Sequence, residues 1–239
     1  MKWLEHYRLG AAETDINNIA SASSVMRYLQ DCANGHLAAV RPSYDELFER
    51  GLAFVLSRMS IVFRKELRTH DEFDCETWAA GSKGVTFNRC YRIKKGELVA
   101  VEASSAWALL DVNRGRPCRV ADSGADYHDE EPLELDMPTR FRIPSTPEPV
   151  KVGERLVEYA DCDINGHMNN AKYPDILCGY TGDMKGRRLE RMNINFLNEA
   201  PLGEKLTIYH AELCGVHYLR TLREDGRTNV EAELRFKEI

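Results

Sequence analysis

Aspartate, asparagine and histidine alternate in Asp163-Ile164-Asn165-Gly166-His167, and Asn169 and Asn170 follow closely. A carboxylate, an amide and an imidazole at this spacing offer a proton acceptor, an orienting hydrogen-bond group and a group that exchanges protons near neutral pH. His167 stands just ahead of a helix expected to start between Asn169 and Pro174, whose free N–H groups would favour an anion. Glu212, in a segment with strand character, adds a second carboxylate. Acid–base chemistry on a small polar group or a water is within reach of such a set. Each residue type also has an ordinary use, in a turn, a helix cap or a solvated strand face.

A comparison inside the chain lifts the four above that background. Asp15-Ile16-Asn17 recurs as Asp163-Ile164-Asn165 at an offset of 148, and Arg58-Met59-Ser60-Ile61-Val62-Phe63 recurs as Arg191-Met192-Asn193-Ile194-Asn195-Phe196 at an offset of 133. The first copy carries an insertion around Arg41 to Gly51, where a surface loop lengthens at small entropic cost. Ile19 stands where His167 stands, and Ala79 where Glu212 stands. A duplicated scaffold needs one working site, so these differences point to the second copy as the chemical one.

The elements that would position the site follow from periodicity. Val25, Leu29, Cys32, Ala33, His36, Leu37 and Val40 share one face at the 3.6-residue period of a buried helix. Val55 to Phe63, Phe73 to Ala80, Thr86 to Lys94 and Val99 to Asp111 have the composition of sheet strands. The second copy repeats the scheme in Met192 to Leu197, Lys205 to Leu213, Tyr218 to Glu224 and Asn229 to Phe236. Prolines 117, 132, 138, 144, 147 and 149 and the acidic run from Asp126 to Glu134 mark an extended connection. Two domains are expected, 1–143 and 144–239, each a helix wrapped by an antiparallel sheet. The pairing of two such sheets edge to edge would cover otherwise open edges.

Composition sets the outer limits. The chain has 239 residues, 43% hydrophobic and 29% charged, which is ordinary for a folded protein. A net charge of -6 argues against a general nucleic-acid binder. The first residues lack the apolar core of a secretory signal, and no stretch approaches the roughly 20 apolar residues of a membrane span, so a cytoplasmic location is expected. Cysteines 32, 75, 90, 118, 162, 178 and 214 show no metal spacing and read as reduced thiols. No cofactor and no metal are expected. Serine-hydrolase elbows, dinucleotide fingerprints and phosphate loops are absent.

Asp163 to Asn170, with Lys172-Tyr173 behind it, resembles the active-site segment of the acyl-acyl-carrier-protein thioesterases, Asp-x-Asn-x-His-x-Asn-Asn. The likeness continues through Met192 to Leu222 and, in the first copy, through Ser23 to His36, Ser57 to Val62 and Ser104 to Trp107, so it covers nearly the whole chain. It implies an α+β tandem double hotdog that hydrolyses fatty acyl thioesters of acyl carrier protein to free acid and carrier thiol, terminating fatty acid synthesis. In that family the aspartate, asparagine and histidine act with a glutamate on a later strand. An ungapped comparison through Tyr209 to Leu222 puts that glutamate at Glu212. Plant members carry a cysteine directly after it and a transit segment at the N-terminus. Here Leu213 follows Glu212, Cys214 comes one place later, and the transit segment is missing, as in a bacterial version.

Direct attack by water is therefore favoured over a cysteine nucleophile. Glu212 or Asp163 would be general base, His167 the proton carrier, Asn165 the positioning group, and backbone N–H groups after His167 the oxyanion donors. The resemblance also puts chain selection in the first hotdog, with Val25, Met26, Leu29, Cys32, Met59 and Trp107 as lining residues. An acidic carrier would need local basic patches, for which Arg64, Lys65, Arg68 and Lys185, Arg187, Arg188 are the candidates. Acyl-coenzyme A hydrolysis, acyl-thioester sensing without cleavage and hydroxyacyl dehydration are the rival readings. A homodimer is a further option, and chain length and saturation are not legible.

Overall fold

The computed structural model describes residues 2–125 and 127–239; Met1 and Asp126, the first residue of the acidic run, lie outside the described residues. The first half comprises β1 (Trp3–Arg8), α1 (Ala22–Ala39), α2 (Tyr44–Glu49), β2 (Leu52–Phe63), β3 (Glu72–Lys83), β4 (Thr86–Lys95) and β5 (Leu98–Asp111). The short β6 (Arg116–Pro117) and α3 (Val120–Ser123) follow. The second half comprises β7 (Val150–Leu156), α4 (Tyr173–Cys178), β8 (Arg187–Phe196), β9 (Lys205–Leu213), β10 (Val216–Leu222) and β11 (Thr228–Glu238). Among the described residues no strand occurs between β6 and β7, the span that contains the expected boundary at 143/144.

The eleven strands of the described residues form one antiparallel sheet in the order β1-β3-β4-β5-β2-β8-β11-β10-β9-β7, with β6 beside β5. The order on one side of the β2–β8 seam repeats on the other, so the duplication is a pseudo-twofold. The seam pairs Arg58 with Asn195, Ser60 with Asn193 and Val62 with Arg191. It converts two sheet edges into one ladder, as the need to satisfy edge N–H and C=O groups requires. Strand alternation aims Met59, Ile61 and Phe63 of β2 and Met192 and Ile194 of β8 into a single core shared by both halves. This is the expected tandem double hotdog.

The helices differ more than the repeat suggests. α1 runs 18 residues, starts at the Ser21 cap and buries Val25, Met26, Leu29, Cys32, Ala33 and His36 against the sheet. Each fully covered side chain of this size contributes about 1.5–3 kcal/mol. The long helix expected in the second half is instead a 3₁₀ turn at Asn170–Lys172 followed by the six-residue α4. Gly179 follows directly, the Thr181 hydroxyl donates to the Cys178 carbonyl at 2.8 Å, and Gly182 takes φ +106, so the chain turns away. The insertion at 41–51 is not a plain loop: it contains α2, closed by a reciprocal cap between Ser43 and Glu46. β1 and β7, which carry no strong alternation in sequence, complete the two outer edges. Among the described residues no helix is long and apolar enough to cross a membrane.

Candidate active site

The two Asp-x-Asn loops are the same structure. Asp163 N–H donates to His167 O at 2.9 Å, as Asp15 N–H does to Ile19 O at 2.8 Å. Each aspartate accepts from the asparagine N–H two residues on, at 2.9 Å in Asp163 and 2.8 Å in Asp15, which is an Asx turn. The turn needs a left-handed residue, supplied by Gly166 (φ 75) in one copy and Asn18 (φ 54) in the other. Met168 N–H reaches Ala200 O, as Ala20 N–H reaches Leu67 O, and His167 bridges to Pro201 as Ile19 does to Arg68. The aspartate therefore builds the loop in both copies, whatever else it does in one.

The asparagines diverge. Asn17 is locked, its Nδ2 donating to Met184 O (2.8 Å) and Arg187 O (2.9 Å) while its Oδ1 accepts from Gly186 N–H (2.8 Å). It ties the first half's loop to the second half. Asn165 is exposed, and its side chain has no protein partner among the described residues. Asn17→Ala is thus expected to lower the unfolding free energy by about 1–3 kcal/mol, the cost of orphaned polar groups. Asn165→Ala should leave stability within about 0.5 kcal/mol and affect only turnover. Urea unfolding beside a hydrolysis assay separates the two.

The structure brings Asp163, Asn165 and His167 together but does not bring Glu212 to them. His167 sits where the chain enters β9, whereas Glu212 pairs with His217 beside the hairpin at the other end. Seven residues from Lys205 to Glu212 at about 3.3 Å each put roughly 23 Å between the two ends. Cys214 is no closer: it is exposed and left-handed (φ 53) in the two-residue turn with Gly215 (φ 72). The carboxylate beside His167 is Glu199, with Oε2 3.3 Å from Nε2 and the side chain 60% exposed. Its counterpart at offset 133 is Glu66, also a carboxylate, which Arg68 (2.5 Å) and Arg188 (3.7 Å) hold in ion pairs. A search for differences between copies passes over a residue type common to both. The offset itself was the signal that could have found Glu199.

Glu212 belongs to a separate polar cluster beside the β9–β10 hairpin. Arg187 stacks on Phe236 and lies 3.3 Å from His217 Nε2, and His217 Nδ1 is 3.0 Å from His210 Nε2. Arg187 can only donate, so His217 accepts there and passes a proton's hydrogen bond to His210. Burial holds both imidazoles below their usual 6.5, against the opposing pull of Glu212. The folded protein then binds fewer protons than the unfolded chain once the pH falls below 6.5. Stability is complete above that value and declines as pH drops toward the lowered folded values. Denaturation midpoints between pH 7.5 and 5 should fall, and His217→Gln should flatten that slope.

Of the expected chain-lining residues, Val25 borders a cavity between the halves, whereas Met26, Leu29, Cys32 and Met59 are packed core. Val25, Met26, Leu29, Cys32 and Met59 are at most 1% exposed, and half-buried Trp107 donates to Ser105 Oγ at 2.7 Å. The channel expected through them is closed, because α1 side chains interdigitate with the sheet. A 630 Å³ cavity lies instead between the halves, with Val25, Phe63, Val101 and Leu189 among its walls and Ala171 and Lys172 on its border. Of the basic patches, Arg64 is paired with Glu102 (2.6 Å) and Arg68 with Glu66. Arg188 is buried, donating to the carbonyls of Phe63 and Arg64. Lys65 and Lys185 remain exposed. All seven cysteines are free, and no metal-holding group occurs among the described residues.

A tandem hotdog with one Asp-Asn-His loop facing a glutamate defines a class of enzyme-like scaffold. Residues 1–127 match the acyl-ACP thioesterase N-terminal domain and residues 147–238 the acyl-ACP thioesterase C-terminal domain, and the chain belongs to that family. The chloroplastic palmitoyl-acyl carrier protein thioesterase of Cuphea hookeriana is 26% identical over 188 residues, 71% of this chain and 43% of the relative. The chloroplastic oleoyl-acyl carrier protein thioesterase 2 of Arabidopsis thaliana is 26% identical over 188 residues, 71% of this chain and 51% of the relative. The chain spans about half the length of these curated relatives. An acyl-ACP thioesterase from Bacteroides thetaiotaomicron has the same fold, with TM-score 0.89 at 20% identity over 99% of this chain and 98% of that one. The 12:0-ACP thioesterase from Umbellularia californica gives TM-score 0.86 at 14% identity, covering 100% and 98%.

Proposed function

We propose that the protein hydrolyses fatty acyl thioesters of acyl carrier protein, releasing free fatty acid and the carrier thiol and ending chain growth, in the cytoplasm. The observation that carries this reading is the pairing of His167 with Glu199 beside an exposed, unengaged Asn165, in the copy whose twin has Ile19. Glu199, with His167 as partner, takes a proton from water as it attacks the thioester carbonyl. His167 relays that proton toward the departing sulfur, whose thiol pKa of about 8.5 makes it a good leaving group. Asp163 keeps the loop in shape through its Asx turn, and Asn165 orients the substrate.

Individual N–H groups at the 3₁₀ turn, beginning with Asn170, which has no intrahelical partner by position, would meet the oxyanion. A helix of six residues contributes little dipole of its own. The 630 Å³ cavity, within the usual range for small-molecule sites, is the nearest compartment for the acyl chain, since Ala171 and Lys172 border both.

Product analysis with a panel of acyl-carrier-protein thioesters tests the reading, with His167→Ala as control. Free acid should appear with the native enzyme alone. An enoyl product would mean dehydration, binding without turnover would mean a sensor, and preference for the coenzyme A thioester would change the donor.

A further inference from the structure

Most of the positive charge expected to meet a carrier is consumed inside the fold, yet one arginine cluster is not. Arg58, Arg140 and Arg142 line a 420 Å³ cavity with Phe141 and Asn195. None of the three arginines has an ion-pair partner among the described residues. Arg58 and Asn195 face each other across the β2–β8 seam. The connection between the halves forms the roof, drawn over the seam by Asn193 Nδ2 donating to Pro138 O (3.0 Å) and by Arg191 with Asp136 (3.5 Å). Burial and the neighbouring Arg140 charge both disfavour the charged form of Arg58. Arg58 is partly buried while Arg140 and Arg142 are exposed beside it, so the cavity gathers like charge around one desolvated guanidinium, which an anion would offset.

We propose that this cavity binds the phosphate of the pantetheine arm that delivers the acyl thioester to His167. The choice of ligand rests on the thioesterase reading. Guanidinium forks match phosphate oxygens in pairs, and the Asn195 amide adds a neutral donor. Reach is compatible: Asn195 precedes Glu199 by four residues, so about 14 Å of chain at most separates them. A pantetheine arm, built of two amide-linked units and a thiol end, spans roughly four to five extended residues, about 15 Å. With its phosphate held at the seam, the arm rounds the end of β8 to the His167–Glu199 pair.

The test compares one acyl group on carrier protein, on 4′-phosphopantetheine and on pantetheine lacking phosphate, for the native enzyme, Arg58→Ala and Arg140→Ala/Arg142→Ala. The ratio of kcat/KM for phosphorylated over unphosphorylated donors should collapse at least tenfold in the variants, through KM. An unchanged ratio overturns the proposal, even if overall activity falls. Calorimetry with unacylated 4′-phosphopantetheine supplies an arm independent of hydrolysis, with saturable binding expected for the native protein and lost in both variants. Inorganic phosphate binding as tightly as 4′-phosphopantetheine, or no native binding, also overturns it. If no donor is hydrolysed at all, the thioesterase reading fails while calorimetry still decides the site.

Discussion

His167→Ala is expected to reduce turnover of an acyl-carrier-protein thioester by about 10²–10⁴-fold, the range for a positioned acid–base group. The side chain is 34% exposed and is not a member of the hydrophobic core cluster, so the unfolding midpoint should stay within the range of a surface change. The loop around it is secured by main-chain bonds, from Asp163 N–H to His167 O and from Met168 N–H to Ala200 O, which alanine keeps. The first copy gives the internal control, since Ile19 occupies the same bridge with no imidazole. Full turnover by a folded His167→Ala protein would remove the loop from the chemistry altogether.

The second large effect separates two glutamates. Glu199→Gln keeps the shape and removes the carboxylate that faces His167 Nε2 at 3.3 Å, and kcat should fall by about 10²-fold or more. Glu212→Gln touches the histidine cluster near the β9–β10 hairpin, 3.9 Å from His217 Nδ1, and should leave kcat within about twofold. Steady-state kinetics of the two variants on one substrate decides the matter. The reverse pattern, with Glu212→Gln inactive and Glu199→Gln active, would contradict the geometry.

The failure of the Glu212 expectation has a physical cause. An ungapped comparison can say that a residue is on a strand, but not which end of it meets a distant loop. That depends on pairing: β7 sets its Leu156 against Lys205 and so delivers the loop after it to the start of β9. Asp163, Asn165 and His167 were legible because one short turn contains all three. The burial of Arg188 was illegible for a similar reason, as it runs next to Arg187 in sequence but turns into the seam between the halves.

By itself the sequence determined the duplication, most strands, the buried face of α1, and the loop with its single histidine, because these depend on short-range periodicity and turn chemistry. Only the tertiary structure decided that Glu199 joins His167, that the second helix stops after six residues, and that the arginines at 58, 140 and 142 converge. Those outcomes depend on strand register and on a connection crossing the seam, where groups far apart along the chain meet only once the whole sheet has closed.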